Sequence, residues 1–412
     1  MKIHLREGTK PFKLFTARQL PVASRVFVKE QLEWMVKQGI ISAVTMPMEW
    51  VHPLVVVPKP GGKWRLCVDL TKLNFFVKRP VHPLTTPKEA VDRVPEGSVF
   101  FATLDAKHGY WQIPLEEASQ ELTTFITPFG CFKFLRNPMG LASAQDEYCR
   151  RTDLAIAGLE KVSKVVDDML VYSKTAEDHV QDVVELLERC RLNKITLNPD
   201  KFAFGRTEVK FVGYIVNSDG VCSDPAKVKA IAEFPAPTNI TELRGFMGLV
   251  NQLGSFSARI AETAGPLRDL LKKKNAYVWS PAHEEAFAAV KKALVSTPIL
   301  AHFDPRRETQ IRVDCSRLKG IGFALYQLHG EQWKLVVCGS RFLSDTETRY
   351  AMIELEMLGV AWAITKCRIY LLGMEDFEVV TDHKPLIPIL NSYSLDQIEN
   401  QRLQRLRNKI TL

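Results

Sequence analysis

Two acidic clusters, about sixty residues apart, each follow an apolar run with the look of a β-strand. Phe100-Phe101-Ala102-Thr103-Leu104 leads into Asp105, and Val165-Val166 leads into Asp167-Asp168 ahead of Met169-Leu170-Val171-Tyr172. A carboxylate at a strand end is held by the sheet but faces its open edge. Three carboxylates gathered there repel one another, so their ionised forms persist together only with cations between them. Two divalent ions about 4 Å apart align the attacking and leaving oxygens of phosphoryl transfer. These residue types at this spacing point to making or breaking phosphodiester bonds. A lone Asp-Asp pair is more often a solvated turn. Here it interrupts a strongly apolar hairpin, which weighs against that.

Several elements must position these groups. The pattern predicts a strand over Phe100–Leu104 and a hairpin over 162–172 with Asp167 and Asp168 at its turn. It also predicts helices over 142–157 and 177–192, the latter with Val180, Val183, Val184, Leu187 and Cys190 at helical spacing. Upstream, residues 1–23 read as extended, 24–38 as a helix, and 50–78 as β-structure turning at Pro58-Lys59-Pro60-Gly61-Gly62. A short helix at 116–122 precedes a hairpin across Pro128-Phe129-Gly130. Strands follow near 202–204 and 209–216, and Asn217-Ser218-Asp219-Gly220 is a turn that could mark a boundary. Asp224-Pro225 and Ser280-Pro281 are helix starts in a mostly helical stretch to about 296. Beyond Pro298, strands near 309–315, 320–328 and 333–340, a helix over 346–371 and a strand over 377–381 give the order of a separate α/β domain.

At 412 residues the chain is too long for one ordinary domain. Its 46% hydrophobic and 25% charged residues are an ordinary globular balance, which argues against a disordered or fibrous protein. The net charge of +8 says little by itself. Clusters at Lys272-Lys273-Lys274, Arg306-Arg307 and Arg402, Arg405, Arg407 and Lys409 are able to meet phosphates, or to form a solvated face. The eight cysteines are scattered singly, so buried thiols in a reducing, intracellular setting are expected, without structural zinc. No apolar run approaches the ~20 residues of a membrane span.

An ordered set of short segments carries a family resemblance. It comprises Pro58-Lys59-Pro60-Gly61-Gly62-Lys63-Trp64-Arg65, Leu104-Asp105, Gly109-Tyr110-Trp111-Gln112-Ile113-Pro114, Pro138-Met139-Gly140-Leu141, Val166-Asp167-Asp168, Leu197-Asn198-Pro199-Asp200-Lys201 and Phe211-Val212-Gly213-Tyr214. In order and spacing this resembles the reverse transcriptase of gypsy-type long-terminal-repeat retrotransposons. The resemblance implies an α+β right-hand polymerase of fingers, palm and thumb, a mostly helical connection, and a truncated RNase H-like α/β domain. The expected divisions are 1–50 (extension and fingers helix), 51–217 (fingers and palm), 218–297 (helical thumb and connection) and 298–412 (RNase H-like).

By the same resemblance, Asp105, Asp167 and Asp168 would hold two Mg²⁺ or Mn²⁺ ions. Lys63, Arg65, Tyr110, Gln145 and Lys201 would meet the incoming dNTP, with Tyr110 as a wall against a sugar 2′-hydroxyl. Pro138 and Gly140 would touch the template–nucleotide pair, and Phe211, Gly213 and Tyr214 would grip the primer end. An RNA or DNA primer–template is the implied partner; a membrane is not, and a homodimer is compatible. Two departures stand out: Val165 replaces a usual aromatic residue, and Gln145 a usual proline. They keep a rival reading open, a retroelement-derived protein that binds nucleic acid without turnover.

The C-terminal third resembles the ribonuclease H domain that follows the polymerase in this family. Asp314, Glu356 and Asp382 would be its metal-binding, catalytic acids. At 100° per residue Glu356 falls among Met352, Ile353, Val360, Ala363 and Cys367 on the apolar face, whereas Glu354 falls on the mixed face and reads as a surface charge. The family's further strand and fourth-aspartate helix find no match before Leu412, and Asp396 reads as a helix start. An incomplete domain is therefore expected.

Overall fold

The computed structural model describes residues 1–58, 64–256, 260–272, 275–295, 298–317 and 320–410. Lys63, and with it the Gly-Gly turn, lies outside the described residues, as do Lys273 and Lys274. The chain divides into two compact units: Met1–Ala90 with Phe100–Arg206, and Val91–Val99 with Thr207–Leu412.

In the first unit β1 (Ile41–Val44), β2 (His52–Pro58), β3 (Trp64–Val68), β5 (Phe125–Thr127) and β6 (Gly130–Phe134) make one sheet, ordered β1-β6-β5-β2-β3. Helix Arg25–Lys37 turns Val28, Leu32 and Met35 into its core, the i, i+4, i+7 stripe of a helix with one dry face. A second sheet, ordered β7-β8-β4-β9, holds the first acidic set; its strands are β4 (Phe100–Asp105), β7 (Val162–Val165), β8 (Asp168–Ser173) and β9 (Ala203–Arg206). Helix Ala176–Leu192, capped by the Thr175 hydroxyl accepting from the Asp178 amide at 3.1 Å, covers this sheet. Val183, Leu186 and Cys190 pack on Ala102, Leu104, Met169 and Val171. Each such buried aliphatic side chain is worth roughly 1.5–3 kcal/mol. The apolar spacing of this helix covers two faces, and only one is buried: Val180, Val184 and Leu187 are exposed.

In the second unit the stretch expected as one strand over 209–216 is a hairpin. Residues β10 (Glu208–Phe211) and β11 (Tyr214–Asn217) are joined by Val212 and Gly213, at φ +42° and +88°, and β12 (Gly220–Ser223) completes a meander. Apolar alternation continued through the turn and hid it. Asn217-Ser218-Asp219-Gly220 is accordingly the β11–β12 turn. Helix Pro225–Ala232 starts where expected, with Asp224 accepting from the Ala226 amide at 3.0 Å.

The α/β part of this unit contains β13 (Thr309–Ser316), β14 (Gly320–His329), β15 (Gln332–Arg341) and β16 (Glu378–Val380), in the order β15-β14-β13-β16. Only β13 and β16 run parallel. Helix Met352–Leu371 lies so close on β13 that a Cβ at Gly359 would sit 2.2 Å from the Cys315 sulfur. It begins later than expected because Glu347–Arg349 forms a separate 3₁₀ turn, tied by Glu347 to Arg341 at 2.8 Å. Helix Gln401–Ile410 buries Leu403 and Leu406 in the same core.

One expectation is corrected here. Glu354 is not a surface charge: it is buried, accepting from Asn400 Nδ2 at 2.9 Å and Arg402 Nη1 at 2.7 Å, which ties the last helix to the start of Met352–Leu371. The isolated helix places Glu354 at its edge; the later segment covers it. The basic clusters are largely engaged within the chain, Arg306 with Asp304, Arg307 with Glu96 and Lys272 with Asp269. Asp396 lies in an exposed 3₁₀ turn, Leu395–Gln397, capped by Ser394.

Candidate catalytic centres

In the first unit Asp105 and Asp168 are directly opposed on β4 and β8. Cross-strand neighbours share a face, with Cα atoms roughly 4.5–5.5 Å apart. Asp167 stands in the two-residue turn between β7 and β8, and its carbonyl accepts from the Ala106 amide at 3.1 Å, docking the turn beside the end of β4. The other turn residue, Val166, has φ +53°, a left-handed conformation that costs a β-branched side chain roughly 1–3 kcal/mol. The surrounding packing must impose it.

Burial and the neighbouring Asp105 raise both Asp167 and Asp168 above the ordinary carboxylate range. Apart from a weak contact with each other, Asp167 Oδ1 and the Tyr148 hydroxyl are both buried without a hydrogen-bond partner among the described residues. Lys201 donates to Asp105 Oδ2 at 2.6 Å, delivered by the Asn198 amide bonding the Asp105 carbonyl at 2.8 Å. Among the described residues no three His, Cys, Asp or Glu side chains are already drawn into a metal cage. A buried carboxylate oxygen with the charges of two further aspartates nearby nonetheless fits a hard divalent cation, whose preferred ligands are oxygens.

Gly109 makes this packing feasible. A Cβ there would lie 2.7 Å from Asp167 Oδ1 and 2.8 Å from the Tyr148 ring. Gly109→Ala should destabilise the protein by roughly 1–3 kcal/mol through overpacking. Urea unfolding beside wild type would check this; unchanged stability would show that Tyr148 gives way freely.

Of the other expected contacts, Tyr110 meets Tyr148 edge-on at 5.4 Å, and burial, then Asp167, push its hydroxyl up to about 12. Arg65 is exposed on β3 opposite Val57. Gln145 is half-buried at the start of helix Ala144–Ala155. The Pro138–Leu141 loop is clamped by Asn74, which donates to the Gly140 carbonyl at 2.8 Å and accepts from the Ala142 amide at 2.8 Å. Gln112 similarly holds both Lys107 and Thr196 by their carbonyls. Neither role shows in the sequence, because the partners are backbone atoms and, except for Lys107, lie far along the chain. Phe211, Gly213 and Tyr214 belong to the second unit. The two rings are buried, so only the Val212–Gly213 turn of that motif reaches the surface.

In the second unit Arg312 pairs with Val380 in parallel register, so Asp314 and Asp382 each stand two residues further along neighbouring segments. Asp314 lies within β13 rather than at its end. Glu356 comes from the facing helix, is only 1% exposed, and among the described residues its Oε2 has no hydrogen-bond partner. Burial, then the Asp382 charge, with Asp314 adding less, push Glu356 up to about 7. Burial and the adjacent Glu356 raise the Cys315 thiol. The orphaned Glu356 oxygen beside two exposed aspartates is again a donor set suited to a hard divalent cation.

Residues 57–216 match the family model described as "Reverse transcriptase (RNA-dependent DNA polymerase)". Residues 279–379 match the "RNase H-like domain found in reverse transcriptase". The Tf2-3 and Tf2-4 transposon polyproteins of Schizosaccharomyces pombe are each 31% identical over 376 residues, 90% of this chain. The chain spans 28% of the length of those relatives. A foamy viral protease-reverse transcriptase solved with double-stranded DNA superposes with TM-score 0.83 at 18% identity, over 98% of this chain and 70% of that one. A foamy viral protease-reverse transcriptase solved with an RNA/DNA hybrid gives TM-score 0.79 at 18% identity, over 99% of this chain and 54% of that one.

The two matched models, in this order along the chain, are those of a reverse transcriptase with an attached RNase H-like domain. The chain belongs, more narrowly, to the reverse transcriptase–ribonuclease H region of gypsy-type retrotransposon polyproteins.

Proposed function

We propose that this chain is an RNA-directed DNA polymerase, adding deoxynucleotides to a primer on an RNA or DNA template, with a second centre that hydrolyses RNA in a hybrid. The observation that carries the reading is the in-register opposition of Asp105 and Asp168 with the orphaned Asp167 oxygen beside them. Asp105, Asp167 and Asp168 would hold two Mg²⁺ or Mn²⁺ ions, which supply charge stabilisation to the phosphoryl group and acidify the primer hydroxyl. Lys201, which donates to Asp105 at 2.6 Å, would exchange that carboxylate for a phosphate of the incoming nucleotide. Lys63 and Arg65 would clamp the triphosphate, Gln145 and the Pro138–Gly140 loop would seat the nascent pair, and the Phe211–Tyr214 hairpin would hold the primer end. Asp314, Glu356 and Asp382 would form the hydrolytic centre.

Extension of a DNA primer on an RNA template, with dNTPs and Mg²⁺, tests the polymerase. Template-dependent products are expected; binding of the primer–template with no extension in either metal would overturn the reading. Tyr110 gives a sharper test. Tyr110→Ala should raise ribonucleotide over deoxynucleotide incorporation at least about tenfold, because ring volume rather than hydrogen bonding excludes the 2′-hydroxyl. An unchanged incorporation ratio would remove Tyr110 from sugar selection.

A further inference from the structure

Behind the acidic turn lies a cation for which the chemistry above has no use. Lys164, in β7, is only 6% exposed. Its ammonium has three protons and three acceptors: Thr152 Oγ1 at 2.6 Å, Asp153 Oδ1 at 2.9 Å and the Cys149 carbonyl at 3.4 Å. The other Asp153 oxygen meets His82 Nε2 at 2.6 Å. All three lysine partners sit on helix Ala144–Ala155, which also carries Tyr148 beside Asp167. The next residue of β7, Val165, pairs with Asp168, and Val166 after it holds the left-handed turn. Lys164, Asp153, Cys149 and Val166 line one small cavity with Pro83 and Leu84. A buried ammonium is costly unless every proton is met, so such a group fixes the geometry of what it bonds.

We propose that Lys164 is a positioning residue for the polymerase centre. Its bonds lock helix Ala144–Ala155 to the β7–β8 hairpin, and through that lock they hold the strained turn in the conformation that presents Asp167. His82 anchors Asp153, and through it the lysine, from the loop side. The inference rests on the polymerase reading for its purpose, but its structural content does not need turnover.

The test uses the full chain without metal and then with Mn²⁺ alone. Lys164→Met removes the charge and the donors; Lys164→Gln keeps one donor and serves if the methionine variant does not fold. Hydrogen exchange at the Ala106 amide, which bonds the Asp167 carbonyl, reports the turn, and the His52 amide in the other sheet reports general stability. In Lys164→Met, Ala106 should exchange about tenfold faster with His52 unchanged, and the Mn²⁺ concentration for half-saturation should rise about tenfold, as for other supports behind a ligand. Lys164→Gln should fall between. Unchanged exchange and affinity in either folded variant would overturn the proposal, as would equal acceleration at both amides, which marks plain destabilisation. A wild-type chain that passes these measurements yet extends no primer would sink the polymerase reading and leave the positioning role standing.

Discussion

Asp167→Asn should abolish primer extension, by about a thousandfold or more, which corresponds to roughly 4 kcal/mol of lost transition-state stabilisation. Asn keeps the size and one oxygen but removes the charge a divalent ion needs. The same substitution should stabilise the metal-free protein. Asp167 titrates above the ordinary carboxylate range, first because it is buried and then because Asp105 and Asp168 crowd it. A carboxyl raised by folding binds its proton more tightly in the native state, so the native state loses stability as pH rises from the ordinary carboxylate value through the raised one. Asn has no such loss. Thermal unfolding in EDTA at neutral pH should therefore show the inactive variant melting higher than wild type, and the gap should close towards pH 4. A lower melting temperature at neutral pH would mean that the orphaned Asp167 oxygen is stabilised by something other than a cation.

Glu356→Gln should cut hydrolysis of the RNA strand of a hybrid by about a thousandfold while leaving primer extension within about twofold. Its stability effect should be larger than that of Asp167, since Glu356 is almost wholly enclosed and pushed up to about 7 by burial and then by Asp382. The cost of ionising it is absent below the ordinary glutamate value near 4.3, grows towards pH 7, and is complete above it, at roughly 3–4 kcal/mol. Urea unfolding in EDTA should show wild type and Glu356→Gln equally stable at pH 4 and the variant ahead at pH 8. Saturating Mg²⁺ should narrow that gap for wild type alone, because the ion offsets the buried charge. Loss of primer extension in Glu356→Gln, or a variant less stable at pH 8, would count against this assignment.

Helix starts at Asp224-Pro225 and Ser280-Pro281, the strand into Asp105, the hairpin bearing the Asp pair and the strand-helix order after Pro298 were all legible in the chain, because each depends on neighbours a few residues away. The place of Glu356 on the buried face needed only the 100° step of a helix. What local pattern could not reach was the partner of each group. Val180, Val184 and Leu187 share the spacing of Val183 and Leu186, and only the sheet decides which row is dry. Glu354 is buried by Asn400 and Arg402, some fifty residues later. Lys164 looks like a surface charge until helix Ala144–Ala155 closes over it with three acceptors. The sequence by itself determined the elements and the acids they carry. The tertiary structure decided which of those acids meet, which basic residues are already engaged, and what holds the Asp167 turn in its strained form, since burial and hydrogen bonding join residues that are remote along the chain.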